Sequence, residues 1–219
     1  MTPDRELLRT EFLGLTVRFE DVPLAREDLA LFFAQVSDRY GLTRFEYHAE
    51  GGATFGGSDG TEFVLRPGQA SSCGVTHLGL GEGLQRVGGL LGEAAERYRV
   101  GRLWVDDATL VAAWDLQEQD AARRFLVRDV ARLDDEHLAP LGDPEDLAVG
   151  LRVWRSLGDG SLDCSLEPLH TDTAKVYIRL AYSQQEPVPD VATVCAAVER
   201  VGEYLHGPVA DFVLSLARR

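Results

Sequence analysis

The sequence predicts an α+β protein built from two tandem β-α-β-β-α halves of the ferredoxin-like kind, with antiparallel sheets that carry their helices on one face. Two observations support this fold class. The order strand, helix, strand, strand, helix can be followed twice along the chain, over residues 12–100 and again over residues 102–217. The composition, with 45% hydrophobic and 26% charged residues, is that of an ordinary globular protein.

The boundary between the two halves is predicted near residue 100, so that residues 1–100 form one half and residues 101–219 form the other. The connection at this point is only a few residues long, which is too short for a flexible tether. We therefore expect the halves to pack rigidly on each other. They share an order of elements without aligned residue identity, and a tandem duplication is a hypothesis that rests on that order.

The first half opens with a strand and a helix whose periodicities are clear. Apolar residues alternate with polar ones over residues 13–20, which predicts a half-buried strand. Apolar residues recur at helical spacing over residues 29–40, and Gly41 is placed to end that helix. The remaining predicted elements are a strand at residues 44–50, a glycine-rich turn or mobile loop at 51–60, a strand at 61–66 and an amphipathic helix at 84–98.

The second half opens with the run RLWVDDATLVAAWDL, which starts at Arg102. The alternation of its apolar residues predicts one long or bent strand, although its alanine-rich composition also permits a helix. Asp190 is placed to cap the last helix, and Gly158-Asp159-Gly160 predicts a hairpin turn. The other predicted elements are a helix at residues 120–133 and an acidic linker at 134–146. Three strands follow at 147–153, 162–166 and 176–182, and a final helix at 191–216 pauses at Gly207-Pro208.

The charge of the chain excludes two classes of partner. A net charge of −14 and a pI near 4.7 repel nucleic-acid phosphates and anionic membrane surfaces. The sequence shows no signal peptide and no apolar run long enough to span a membrane, so we expect a cytoplasmic protein. The acidity has two explanations that stay open: it keeps the protein soluble, or it attracts a basic protein partner.

No motif predicts catalysis, a cofactor or a metal site. The segment GLGEGLQRVGG, residues 79–89, resembles a phosphate-binding loop, but Leu84 stands where the third glycine is needed and Glu82 repels phosphate. The HTDT segment around His170 is predicted to be a turn between strands, and DDEH, residues 134–137, a solvated linker. We therefore expect no cofactor and no metal, and the missing motifs favour a non-enzymatic protein over an enzyme.

The three cysteines show no metal-binding or redox spacing. Cys164 and Cys195 fall within apolar patterns of a strand and a helix, which predicts two small core residues. Cys73 has no such context, and no neighbouring residue in the sequence marks it as an activated thiol.

The polar face of the strands is the best candidate for a binding surface. If helices cover one face of each sheet, the other face carries a tryptophan flanked by arginines, a combination typical of interface anchors. The alternative is that the two sheets pack on each other and enclose Trp154 between the halves. The candidate binding residues, with one turn histidine included, are Arg18, His48, Arg152, Trp154, Arg179 and His170.

These observations favour a non-enzymatic protein-binding or assembly module that uses an exposed sheet face. Its expected partner is another protein or a second copy of the chain, with a homodimer as one form of assembly. The alternative is a small-molecule-binding protein or an enzyme with a cleft between the two halves, because pockets favour domain interfaces. In that case Arg152, Arg179 and His170 are the expected polar contacts.

Overall fold

The protein forms a single antiparallel sheet of nine strands with helices packed against it, as seen in a computed structural model. The structure describes residues 8–75, 79–142, 147–169 and 171–217. The strands are β1 Leu8–Arg18, β2 Leu42–Tyr47, β3 Ala53–Gly57, β4 Glu62–Arg66, β5 Gln69–Val75, β6 Trp104–Asp115, β7 Leu151–Leu157, β8 Gly160–Pro168 and β9 Lys175–Gln184. The helices are α1 Arg26–Tyr40, α2 Gly79–Arg97, α3 Ala121–Arg124, α4 Asp135–Leu138, α5 Val191–Tyr204 and α6 Ala210–Ala217.

Three short helical segments extend these helices. A π-helical turn continues α3, a 3₁₀ turn continues α4, and a second π-helical turn that contains Pro208 joins α5 to α6. A proline inside a helix removes a backbone donor, so the wider turn accommodates the pause that the sequence predicts at Gly207-Pro208. Among the described residues, none of the helices is both long enough and apolar enough to cross a membrane.

The strand order of the sheet is β2-β3-β4-β5-β1-β6-β9-β8-β7. The first strands of the two predicted halves, β1 and β6, are therefore antiparallel neighbours at the centre. Their ladder contains ten residue pairs, compared with nine between β8 and β9 and eight between β6 and β9. The longest ladder of the sheet thus joins the part of the chain before residue 100 to the part after it.

The α+β class and the antiparallel pairing are confirmed, but the prediction of two ferredoxin-like units is not. One sheet of nine strands is larger than that fold implies. The run that starts at Arg102, for which a strand and a helix were both possible, forms the strand β6. Its pairing to β1 explains its length. The glycine-rich loop predicted at residues 51–60 is wrong in part, because Ala53–Gly57 forms β3. Gln69–Val75, which shows no clear periodicity, forms β5.

The core lies between one face of the sheet and the helices. Leu13, Leu15 and Val17 of β1 point to this side and are almost fully buried. The central helices α2 and α5 pack on it and on each other so closely that a Cβ atom added at Gly88 would lie 2.5 Å from the Cys195 Sγ. A continuous apolar core therefore extends across the β1–β6 junction.

Helix α1 covers the outer strands of the first half through an aromatic cluster. Phe32 and Phe33 of the helix contact Phe55 of β3 at ring-centroid distances of 5.7 and 6.0 Å. Phe45 and Phe63 extend the cluster along β2 and β4. Such aromatic pairs stabilise a core beyond the area they bury. This end of the sheet therefore has a covered core face.

A partly exposed polar group joins α1 to α2. The Arg97 guanidinium donates to the Asp28 carboxylate at 2.5 Å and to the Gln35 side chain at 3.2 Å. The hydrogen bond from Arg97 holds the pKa of Asp28 below its ordinary value, and burial raises the pKa of Tyr98 beside it to about 12. The helix ends agree with the sequence prediction: Gly41 ends α1 in a left-handed conformation, and Asp190 accepts from Thr193 to cap α5.

Candidate functional site: the open face of the sheet

The surface of the sheet turned away from the core is called the open face here. The strand alternation that buries Leu13 and Leu15 of β1 turns Phe12, Gly14 and Thr16 to this side. The strand registers define one row of residues that crosses the open face on all nine strands: Arg44, Gly56, Glu62, Cys73, Gly14, Thr109, Ala181, Asp163 and Trp154. At the usual strand spacing the row is roughly 40 Å long.

The middle of the row is made of short, uncharged side chains. Cys73, Gly14, Thr109 and Ala181 occupy four adjacent strands, so the backbone of the sheet lies close to the surface there. A solvated face of an antiparallel sheet more commonly carries long polar side chains. The short side chains create a depression of about 300 Å³. Its lining residues come from β1, β4, β5 and β6, and include Phe12, Thr16, Val64, Ser71, Cys73 and Asp107.

Two groups of polar contacts lie between the β7 edge and this depression. Arg152 Nε donates to Asp163 Oδ1 at 2.9 Å, and Arg152 Nη2 donates to Asp163 Oδ2 at 2.5 Å. Arg179 Nη2 donates to Thr109 Oγ1 at 3.4 Å, and the Thr109 hydroxyl donates to Asp107 Oδ2 at 2.8 Å. The hydrogen bond from Arg152 holds the pKa of Asp163 below its ordinary value, with a smaller contribution from Arg179. Asp163 is therefore ionised: it is hydrogen-bonded to Arg152 and is also attracted by the charge of Arg179.

Trp154 lies at the end of the row on β7 with 66% of its surface exposed. The alternative that this side chain is enclosed between two packed sheets is therefore wrong, because the protein has one sheet and the tryptophan lies at its edge. An exposed indole beside the Arg152–Asp163 pair gives the edge of the open face one large apolar group. Arg152, Trp154 and Arg179 thus lie on one face of the sheet, and their role in binding stays a prediction.

Arg18 lies on the same face, at one end of the central strand β1. Its Nε is 3.4 Å from Asp106 Oδ1, and its guanidinium lies over the Trp104 ring at 4.8 Å from the centroid. The arginine is thus paired with an acid and an aromatic ring, which leaves it less available for an anionic ligand. This cluster is separate from the group around Trp154.

Of the two candidate histidines, His48, which the structure describes, is not part of this group. His48 follows β2 at the opposite end of the sheet, where its Nε2 lies 2.9 Å from the Thr54 hydroxyl. Its Nδ1 is buried without a protein hydrogen-bond partner. His170 lies outside the described residues. The neighbouring Asp172 forms an ion pair with Lys175 at 3.0 Å within the turn that leads into β9.

Sequence reasoning missed the partners of the two arginines on this face. Asp163 accepts from Arg152, and Thr109 accepts from Arg179, only because β7, β8, β9 and β6 are neighbours in a particular register. The one indication in the sequence was that Asp163 and Thr109 both alternate with the apolar residues of their strands, which places them on the side away from the core. The registers that place them beside the arginines follow from nonlocal pairing, which local periodicity does not reveal.

The cysteine environments give no nucleophilic thiol. Burial raises the pKa of Cys164 to about 11, and it also raises the pKa values of Cys195 and of Cys73, where Glu62 adds to the effect. These thiols are therefore protonated at neutral pH, and a thiolate is needed for attack. Within residues 8–75, 79–142, 147–169 and 171–217, no three His, Cys, Asp or Glu side chains converge as metal ligands would.

No known protein-family model matches this chain, and no curated protein sequence shows significant similarity to it.

Proposed function

We propose that the protein is a binding module that docks another protein on the open face of its sheet. The observation that carries this proposal is the row of short side chains at the centre of the face, where Cys73, Gly14, Thr109 and Ala181 leave the backbone close to the surface. A helix or strand of a partner can approach such a surface closely. Trp154 at the edge supplies an aromatic anchor of the kind that contributes most to interface energies.

The charges on and around the face favour a protein over a small anion. Three arginines on this face are already paired with acids: Arg152 with Asp163, Arg44 with Glu62, and Arg18 with Asp106. The net charge of −14 steers a basic protein towards the molecule. The proposed role is that of a cytoplasmic assembly or adaptor protein, and its two halves are proposed to derive from a tandem duplication because their first strands meet at the centre of the sheet.

A single bulky residue in the depression should block docking. Thr16 is half-buried at the centre of the face, opposite Ser71 on one side and Asp107 on the other. We expect Thr16→Arg to reduce capture of the specific partner from cell extract by roughly tenfold or more, because the new side chain fills the depression. The measurement is affinity capture of the tagged full-length chain with quantitative mass spectrometry.

The matched control is Ala34→Arg, which adds the same side chain at an exposed position of α1 on the helix side. Both variants must keep the wild-type melting temperature for the comparison to count. A folded Thr16→Arg protein that captures the same proteins as the wild type and Ala34→Arg would refute docking at the centre of the face.

A second candidate function is supported by the depression itself. Its volume of about 300 Å³ is at the lower end of the range for small-molecule sites, and its lining crosses from β1 to β6, between the two proposed halves. A metabolite that raises the melting temperature of the wild type and Ala34→Arg, but not of Thr16→Arg, would favour this function over protein docking.

A further inference from the structure

We infer that the edge strand β7 pairs with β7 of a second copy of the chain, so that two sheets of nine strands join into one. The surface concerned, called the β7 edge here, consists of Leu151–Leu157 and is distinct from the centre of the open face. The inference does not need the proposed function to hold, although Trp154 belongs to both surfaces. It rests on the exposure of this strand, on its contrast with the other edge, and on its self-complementary sequence.

The β7 edge is exposed on both of its faces. Trp154 on the open face is 66% exposed, and Val153, which points to the opposite side, is 41% exposed. Residues 152–156 are all exposed. The strand pairs with β8 in an unbroken register over seven residues, and no strand in the described part of the chain lies on its other side. Unpaired backbone groups on a regular, partly apolar edge are a template for another strand.

The opposite edge of the sheet, β2, is protected in the ways that native edges usually are. Its register with β3 is broken by an irregularity between Leu42 and Arg44, and Arg44 forms an ion pair with Glu62. Helix α1 covers its core side, where Phe33 contacts Phe45 at a ring-centroid distance of 5.6 Å. Such irregularities, charges and covering elements prevent edge-to-edge pairing. The β7 edge shows neither the irregularity nor a comparable aromatic cover among the described residues.

The sequence of β7, LRVWRSL, is suited to antiparallel pairing with itself. The one register that pairs all seven residues is centred on Trp154, with the two-fold axis passing between the two tryptophans. In this register Arg152 lies opposite Ser156 of the second copy, and Val153 lies opposite Arg155, so no two arginines oppose each other. The end residues Leu151 and Leu157 also meet. About six to eight backbone hydrogen bonds would form along the pair.

A second copy fits this surface better than an acidic peptide does, because the positive charges of the strand are already engaged. Arg152 binds Asp163 with two nitrogens, and Arg155 Nη1 donates to the Tyr204 hydroxyl at 3.1 Å while it lies over that ring. Two chains of −14 charge repel each other at long range. Added salt screens that repulsion, so self-pairing should tighten with salt, whereas binding of an acidic peptide should weaken.

The test is the molar mass of the full chain by light scattering and sedimentation, from about 1 to about 100 µM protein. We expect a dimer of 2 × 24.1 kDa whose dissociation constant falls as salt rises from about 0.05 to about 0.5 M. Trp154→Lys should weaken dimerisation by roughly tenfold or more, because two lysines would then face each other across the pair. Its fold should be intact, since Trp154 is exposed and Asp163 lies beside it.

The matched control is Leu31→Lys, which replaces another exposed apolar residue, 63% exposed on α1, with the same charge. This variant should dimerise like the wild type. A wild-type chain that stays monomeric over the whole range would overturn the inference, as would a dimer that Trp154→Lys leaves unchanged or that dissociates with added salt. Loss of the dimer does not alter the capture experiment with Thr16→Arg, so the two proposals can fail separately.

Discussion

Residues 1–100 expressed alone are expected to give an aggregating, poorly folded fragment. In the full chain, β1 is a central strand whose ladder to β6 contains ten residue pairs. Cutting the chain after residue 100 would turn this strand into an uncovered edge and expose the side of α2 that packs on α5. Both surfaces are apolar and belong to one continuous core. Uncovered apolar edges of this kind lead to aggregation.

The measurement is size-exclusion chromatography of the fragment, followed by thermal unfolding monitored by circular dichroism. Coexpression of residues 101–219 is the control, because the second fragment supplies β6 and α5 and should restore a soluble complex. A monomeric fragment with a sharp thermal transition of its own would show that the first half is an independent domain. The prediction of rigidly coupled halves would then be wrong.

The second large effect is expected at the contact between α2 and α5. A Cβ atom at Gly88 would lie 2.5 Å from the Cys195 Sγ, which is too close for two unbonded atoms. Gly88→Leu should therefore force the two helices apart and lower the free energy of unfolding by about 1–3 kcal/mol. For a chain of this size the melting temperature should fall by roughly 2–12 °C.

Gly92→Leu in the same helix is the matched control. Apart from the adjacent residues and the backbone of the same helix, no described atom lies within 4 Å of a Cβ built at Gly92, so the new side chain has room. Because leucine favours the helix over glycine by about 0.5–1 kcal/mol, this variant should be as stable as the wild type or more stable. Equal melting temperatures for the two variants would mean that the close packing of α2 on α5 does not stabilise the fold.

The elements with strong local periodicity could be predicted from the sequence. Alternation identified β1 and β9, and helical spacing identified α1 and α5. Their ends carry side chains and glycines with a defined local role, such as Gly41 at the end of α1. In these segments the local preferences agree with the final fold, which is why a single sequence was sufficient.

The strands β3 and β5 could not be predicted because their composition has no hydrophobic alternation. The sequence ATFGG of β3 reads as a turn, and QASSCGV of β5 is mostly small and polar. Both become strands through pairing with their neighbours, which overrides the local preference. Their small residues include Gly56 and Cys73, two members of the row across the open face. The small residues of β3 and β5 thus account both for the missing hydrophobic alternation and for the short side chains of the candidate site.

The joining of both halves into one sheet is a nonlocal property. Residue pairs such as Leu13 with Leu110 are far apart in the chain, and no local pattern specifies their register. The alternation in the sequence accordingly predicted that Arg152, Trp154 and Arg179 lie on the polar face of their strands. It did not predict the contacts of these residues. It also included Arg18 and His48 in the same candidate surface, although the structure places them in separate clusters.

Site-specific photo-crosslinking in living cells tests the central claim of a protein-docking face most directly. A photoreactive amino acid is placed at Ser71 on β5 or at Ser165 on β8, which are two half-buried positions of the open face. Ala30 and Ala34, two exposed positions of α1 on the helix side, are the matched controls. The full-length chain is used in each case, and crosslinked products are identified by mass spectrometry.

If the open face docks a protein, Ser71 and Ser165 should both give a crosslink to the same discrete partner, and Ala30 and Ala34 should not. Addition of Thr16→Arg should abolish these crosslinks, because it fills the depression that Ser71 lines and blocks docking on the face. Crosslinks to a discrete partner from the α1 positions, with none from the open face, would contradict the proposed function.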